Sequence, residues 1–402
     1  MTDPRLDVIP VPAPPAGTRH LLTVTGRDRP GVSATLLDAL SAPGLALLDV
    51  EQVVIDGRLI LSLLVASEAP LEVPQIDGLE IEVRAVGGEG DPLPGDPIAP
   101  SSATRHHVTV LGNPVTPAAL GRVAKTVAGC GANIERIARL AAWPVGAFEL
   151  IVAGGATTEL RRELATVAGV DVAVSPASLL RRAKRLVVLD VDSTLIRGEV
   201  IEMLAVYAGA YDEVAAVTAA AMAGELDFEA SLRARVRLLA GVPETALDEV
   251  RAQVQLTPGA RTLVRTVHRL GYVVGVVSGG FTHVVDPIAA DLGLDFAAAN
   301  TLEIVDGVIT GEILGPIIDR AGKAAALERF AAEAGVPLAQ TVAVGDGAND
   351  LEMLARAGLG IAFNAGPMLR AAADASVNVP YLDAVLFLLG ISREEIAAAD
   401  AD

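Results

Sequence analysis

The sequence predicts an α/β protein: a parallel sheet covered by helices on both faces, with an inserted helical cap, preceded by two small α+β units. Three observations carry this. Apolar runs "RLVVL", "YVVGVVSGG", "TVAVGDGAND" and "GIAFN" alternate with helical stretches in the C-terminal half, the pattern of parallel strands buried on both faces. Between the first two runs, 199–268 reads as mostly helical, too long for a simple crossover. Finally, "TRHLLTVTG" (18–26) returns as "TRHHVTVLG" (104–112), and internal similarity at that separation points to paired domains.

The elements follow in order. Residues 1–17 are Pro-rich and read as a flexible tail. The first small domain, 18–90, opens on a strand at 19–26, then a helix with Pro30 near its first turn. Two strand-like runs follow, broken at Asp56-Gly57, a hairpin dipeptide. Dense Gly and Pro make 91–104 a linker. The second copy, 105–178, repeats the strand and adds a helix at 117–129 and strands near 133–142 and 147–153. His20, His106 and His107 fall on or beside strands expected at sheet edges, where packing or surface roles outweigh metal ligation. Trp143, before a Pro, is expected to pack. The α/β domain spans 184–402, with the cap at about 199–256.

Bulk composition narrows the function. The chain has 402 residues, 51% hydrophobic and 20% charged, with a net charge of −19 and 3% aromatic content. That balance argues against nucleic acid and against attraction to anionic membranes. An anionic ligand would need local positive charge or a metal. Cys130 is the only cysteine, so no intrachain disulfide forms, which suits a reducing compartment. The N-terminus lacks the apolar core of a signal peptide, and no apolar run approaches the ~20 residues that span a bilayer. A soluble, cytoplasmic protein is expected.

The chemistry concentrates at predicted strand ends, where open α/β sheets bind ligands. "VVLDVDSTLI" (187–196) closes a buried strand on two acids, Asp190 and Asp192, which repel each other and resist desolvation. A second run ends in Ser278-Gly279-Gly280, a third in Asp346, Asn349 and Asp350. Lys323 follows a Gly ahead of a helix. Acids, a Lys and a Ser hydroxyl suit phosphoryl transfer with a hard cation such as Mg²⁺. The plainer alternative is that Asp190 and Asp192 only cap the following turn.

This ordered set resembles the haloacid-dehalogenase superfamily of aspartate-nucleophile phosphatases: "DVDST", "VVSGG", Lys323 and "GDGAND" match its four motifs. The resemblance implies a Rossmann-like sheet and a Mg²⁺-dependent phosphomonoester hydrolase. It makes Asp190 the nucleophile and Asp192 the acid that protonates the leaving oxygen, then activates water. Asp190, Asp346 and the Asp192 carbonyl would hold Mg²⁺, supported by Asp350; Ser278, Gly279 and Lys323 would bind phosphate, with Asn349 beside them. Ion-pumping relatives carry Thr in place of the second acid, so Asp192 favours hydrolysis.

The cap addresses the substrate. In "SLRARVRLL" (231–239), Leu232, Val236, Leu238 and Leu239 define an apolar helix face, Arg233 and Arg237 point away, and Arg235 falls inside it. A buried guanidinium needs an anion, either a substrate carboxylate or a structural partner in the cap. Glu199 follows the DVDST turn and would suit an ammonium. Phosphate, ammonium and carboxylate together describe O-phospho-L-serine. The region is similar to the phosphoserine phosphatase family, whose cap presents Glu and Arg at Glu199 and Arg235 and apolar pocket residues at Met222 and Phe228.

The repeated units resemble the ACT family of βαββαβ amino-acid-sensing domains, through "TVTGRDRPGV" in the first copy. The second keeps "TVLG" but reads "NPVTPAAL" without Pro-Gly. That resemblance implies effector binding, L-serine above all, at Gly26, Asp28, Gly31, Gly112 and Asn113, between two copies within the chain or across a homodimer. Dimerisation alone is the competing role. Two further alternatives stand at this stage: another small phosphomonoester or a phosphoprotein as substrate, and an amino-acid sensor with a degenerate catalytic half.

Overall fold

A computed structural model describes residues 18–41, 45–68, 70–71, 75–86, 104–178, 181, 183–222 and 228–401, with side chains excepted at 219–222, 228 and 400–401. The proposed tail at 1–17 and nearly all of the linker lie outside the described residues. The chain divides into two compact units, 1–102 and 103–402.

In the first unit, β1 (Thr18–Arg27), β2 (Leu45–Ile55), β3 (Arg58–Ser67) and β4 (Leu79–Ala85) form a sheet in the order β2-β3-β1-β4. Helix α1 (Val32–Ala39) buries Val32 and Leu36 in a core with Leu22, Val24, Leu59 and Leu63. The β2–β3 turn takes left-handed φ at Asp56 (49°) and Gly57 (71°), as a two-residue hairpin requires. Pro30 precedes the helix rather than entering its first turn, because Gly31 caps it at φ 88°. The connection from β3 to β4 contains no helix among its described residues.

The second unit begins with the full βαββαβ pattern: β5 (Arg105–Gly112), α2 (Pro117–Gly129), β6 (Asn133–Ala141), β7 (Gly146–Ala153), α3 (Thr157–Leu164) and β8 (Asp171–Pro176), with sheet order β6-β7-β5-β8. Thr116 caps α2 by accepting from Ala119 N at 3.2 Å. Both β1 and β5 lie inside their sheets, which corrects the edge placement of His20, His106 and His107. Trp143 is 76% exposed, so it does not pack as expected.

The large sheet is β12-β11-β10-β9-β13-β14-β15, built from β9 (Leu186–Asp190), β10 (Val273–Phe281), β11 (Phe296–Val305), β12 (Val308–Leu314), β13 (Thr341–Gly345), β14 (Gly360–Phe363) and β15 (Ala375–Val377). All pairings are parallel except β11–β12. Along central β9, Val187 and Leu189 enter one core and Leu186 and Val188 the other, so an unbroken apolar run is what a strand covered on both faces demands. The sequence reading missed β11, β12 and β15, although Asp306-Gly307 marks the β11–β12 hairpin with the same dipeptide as the first unit.

Among the described residues, four helices, α4 (Val200–Ala208), α5 (Tyr211–Met222), α6 (Phe228–Arg237) and α7 (Thr245–Gln253), form the cap. It joins the sheet domain through an antiparallel bridge of Ile196 with Leu256. Its α6–α7 link is stitched to β12: Gly241 N donates to Ile309 O at 2.9 Å, and Ile309 N to Val242 O at 2.8 Å. Helix α6 buries Leu232, Val236 and Arg235, whereas Leu238 is 40% exposed. The helix ends at Arg237, so Leu238 leaves the apolar face assigned to it.

The βαββαβ domain docks on the sheet edge. Asp171 on β8 accepts from Asn378 N (2.6 Å) and Nδ2 (2.7 Å), and Arg161 pairs with Asp374 at 2.8 Å.

Candidate active site

Strand register assembles the site. Asp190 pairs with Val277, one residue before Ser278, while Leu189 pairs with Val344, two before Asp346. Three motifs far apart in sequence thus meet at one level beyond the strand ends, where the order of strands reverses around β9.

Every polar side chain of "DVDST" is engaged. Asp190, 3% exposed, accepts from Lys323 Nζ at 2.6 Å. Asp192 Oδ2 accepts from Ser278 Oγ at 2.8 Å, and its Oδ1 from Val200 N at 2.8 Å. The turn-capping role therefore exists, but it occupies only one oxygen of one acid. Ser193, in the left-handed region at φ 59°, donates from Oγ to Glu199 Oε1 at 2.8 Å. Thr194 donates from Oγ1 to Asp346 Oδ1 at 2.9 Å.

Lys323 lies inside the first turn of α10 (Arg320–Glu333), not ahead of it. The residue is fully buried, and its ammonium also donates to Asp350 Oδ1 at 2.7 Å. Asp350, at the start of α11 (Leu351–Arg356), accepts from Gly347 N through Oδ2 at 3.0 Å. Gly345 is required there, since a Cβ would lie 2.4 Å from Asp350 Cγ. Asn300 on β11 donates to the Gly279 carbonyl at 2.8 Å and accepts from Ile318 N at 2.7 Å, holding the Ser278 loop to the chain leading into α10.

One pocket is lined by Asp190, Asp192, Glu199, Arg235, Gly279, Lys323, Asp346 and Asn349, with Thr218, Ile201, Leu232, Gly280 and Gly347. Ser278 is buried at its margin through Asp192. Met222 ends α5 and Phe228 begins α6; their side chains lie outside the described residues.

Electrostatics divide the pocket. Burial, then the charge of Asp350, pushes Asp190 well above the carboxylate range. Burial and Asp350 likewise raise Asp346 to about 7, against the Thr194 hydrogen bond. Burial alone would lower Lys323, but Asp190 and Asp350 outweigh it and hold it above the usual lysine range. Oxygens of Asp190, Asp346 and Asp350 come within 4.8 Å of one another. Three clustered acids and one shared ammonium form an oxygen cradle that fits a hard divalent cation.

The cap contributes a cation, an acid and apolar side chains. Arg235 is 5% exposed; it donates to Thr218 Oγ1 at 2.9 Å and Ser231 O at 3.4 Å. Among the described residues, no carboxylate forms an ion pair with it. Burial lowers its pKa against the pull of Glu199, Asp192 and Glu202. At the start of the cap, burial and then Asp192 raise Glu199 to about 8. The sequence reading missed Thr218 and Asn300; each is a polar residue interrupting an apolar stretch, "AAVTAAA" and "AAANTLEI".

The residues assigned to an effector stand elsewhere. Gly26 ends near β4, where a Cβ would lie 2.5 Å from Gly78 O. Asp28 is exposed, with its N donating to Gly57 O at 2.8 Å, and Gly31 caps α1. Gly112 and Asn113 line a surface cleft with Asp171, Arg370 and Asn378.

Comparison with known proteins agrees with this arrangement. Residues 187–355 match the haloacid dehalogenase-like hydrolase family, and 18–84 and 104–175 each match an ACT domain family. The chain is 56% identical over 391 residues to a phosphoserine phosphatase of Streptomyces coelicolor, covering 94% of both. It is 53% identical to phosphoserine phosphatase SerB2 of Mycobacterium tuberculosis, covering 96% of this chain and 97% of that one. Among solved structures, a phospho-aspartyl intermediate analogue of phosphoserine phosphatase matches with TM-score 0.50 and 43% identity, over 51% of this chain and 98% of that one. An unliganded probable phosphoserine phosphatase from Vibrio cholerae matches with TM-score 0.55 and 35% identity, over 74% and 89%.

Proposed function

We propose a residue-level mechanism for this chain, which belongs to the phosphoserine phosphatase family and hydrolyses O-phospho-L-serine to L-serine and phosphate. Asp190 attacks phosphorus to form an aspartyl-phosphate while Asp192 passes a proton to the departing serine oxygen. Asp192, now a carboxylate, takes a proton from water, which attacks phosphorus and restores Asp190. Ser278, the Gly279 backbone, Lys323 and Asn349 orient the phosphoryl group. Asp190, Asp346 and the Asp192 carbonyl, backed by Asp350, would hold Mg²⁺, which when bound supplies positive charge against the phosphate oxygens.

Arg235 carries the assignment of roles in substrate recognition. It is a buried guanidinium lining the pocket, with a hydroxyl and a carbonyl as partners, and among the described residues no carboxylate forms an ion pair with it. A substrate carboxylate would complete it, and an ammonium would satisfy Glu199 in the same pocket. Phosphoethanolamine lacks the carboxylate and 3-phosphoglycerate lacks the ammonium. Each should show kcat/KM at least ~10-fold below that of O-phospho-L-serine. Comparable values for all three would overturn the pairing.

The reaction closes L-serine biosynthesis, and we extend the proposal to feedback by L-serine at the ACT domains. In the first unit the loop around Gly26, Asp28 and Gly31 offers a carboxylate for an ammonium beside a helix start; Gly112 and Asn113 occupy the corresponding loop of the second. A homodimer and a cytoplasmic location belong to the same reading. It is supported by the ACT matches and by a lone cysteine. Among the described residues, no helix is long and apolar enough to cross a membrane.

A further inference from the structure

We propose that a second pocket in the 103–402 unit binds a small organic carboxylate with an apolar body. It lies where β8, Arg181 and Lys184 meet Gly358 and Leu359. Arg161, Arg181 and Lys184 line it together with Pro176, Leu359, Leu388 and Leu389. None of these residues lines the active-site pocket.

The charges here do not balance. Arg161 is matched by Asp374 and also donates to Val174 O at 2.9 Å. Asp374 uses its other oxygen on Gly360 N at 3.0 Å. Arg181, 8% exposed, pairs through Nη2 with Glu149 and meets His107 Nδ1 through Nη1 at 3.2 Å, while its buried Nε has no partner among the described residues. Lys184, 7% exposed, donates to the neutral carbonyl of Ala339 at 2.8 Å. Among the described residues, no carboxylate forms an ion pair with Lys184. Among the described residues three cations thus face two carboxylates, and the surplus ammonium is buried in a chain whose net charge is −19.

Both cations are held in place. A Cβ on Gly390 would lie 2.8 Å from Arg181 Nη1, and one on Gly358 would lie 2.6 Å from Lys184 Nζ. Neither head group has room to withdraw toward those backbones. A buried cation without an anion is costly unless a ligand supplies the charge. A carboxylate brings one negative charge and two acceptors. Those answer the one surplus charge and the remaining N–H groups of Lys184. A dianionic phosphate would reverse the charge imbalance and place its polar oxygens against leucines. The leucines and Pro176 instead suit an apolar body on the carboxylate.

The probe is 4-bromobenzoate, titrated into the full-length protein by calorimetry, with bromine anomalous scattering locating it in crystals. Wild type should bind with the bromine beside Leu388 and Leu389. Lys184→Met, which keeps the apolar stem, should weaken binding at least ~10-fold, and neutral 4-bromobenzamide should not bind. Three results would each overturn the proposal: no bromine peak in this pocket, equal affinity of Lys184→Met and wild type, or equal binding of acid and amide. The anomalous peak in wild type decides the matter even if Lys184→Met fails to fold.

Discussion

Lys323 Nζ lies 2.6 Å from Asp190 Oδ1, and both residues are almost wholly removed from water. The lysine therefore does two things: it orients the carboxylate proposed as nucleophile and neutralises part of a cluster that would otherwise repel itself apart. Lys323→Met leaves Asp190 and Asp350 without that charge. Breaking such a buried pair costs about 3–5 kcal/mol, so denaturant unfolding of the metal-free variant should show a loss of that order. Phosphate release should fall at least ~100-fold. Added Mg²⁺ should return more stability to the variant than to wild type, because the acids then depend on the metal alone.

Arg235 predicts a split between two substrates. Arg235→Ala should lower kcat/KM for O-phospho-L-serine at least ~10-fold more than for p-nitrophenyl phosphate, which has no carboxylate. Thr218→Val removes only the hydroxyl that orients the guanidinium. It should raise KM for phosphoserine severalfold and leave p-nitrophenyl phosphate unchanged. Equal losses on both substrates would make Arg235 structural.

Glu199 predicts a pH dependence of stability. Burial and Asp192 raise it from 4.5 to about 8 in the folded chain, so folding favours its protonated form. That contribution is complete below pH 4.5 and is lost as pH rises through about 8. Metal-free wild type should therefore lose stability across this window, with Asp190 and Asp346 adding slope of the same sign. Glu199→Gln should flatten the decline and exceed wild type by about 2–4 kcal/mol at its upper end. Thermal unfolding in a chelating buffer from pH 5 to 9 measures both curves, and parallel curves would contradict the burial of an ionisable group here.

The ACT reading predicts that L-serine inhibits without competing with substrate, and that Asp28→Ala raises the serine concentration for half-inhibition at least ~10-fold. Steady-state kinetics across serine and phosphoserine concentrations test it. Purely competitive inhibition, unaltered by Asp28→Ala, would place serine in the active site alone.

The parts of the fold legible in the sequence are those set by local chemistry. Buried parallel strands such as β9 show as apolar runs, and Asp56-Gly57 marks its hairpin by backbone preference. Long-range placement was less accessible. Nothing near His20 or His106 reveals that their strands lie inside their sheets, since that depends on β4 and β8 pairing on the far side. Leu238 matched the angular pattern of α6 but fell past the helix end. In the site, the charged motif residues were readable because few structures tolerate carboxylates at the ends of buried strands. Thr218 and Asn300 were not, because their roles exist only through partners contributed by other elements. Trp143 inverts the usual expectation, with its ring on the surface.

The most direct test of the central claim is to locate the transferred phosphoryl group. Asp192→Asn retains the proposed nucleophile but loses the group proposed to activate water. Mixing it with ³²P-labelled O-phospho-L-serine and Mg²⁺, quenching in acid and mapping peptides by mass spectrometry should place the label on Asp190. Asp190→Asn should carry no label and release no phosphate. Label on another residue, or phosphate release by Asp190→Asn at a rate near wild type, would contradict the covalent mechanism.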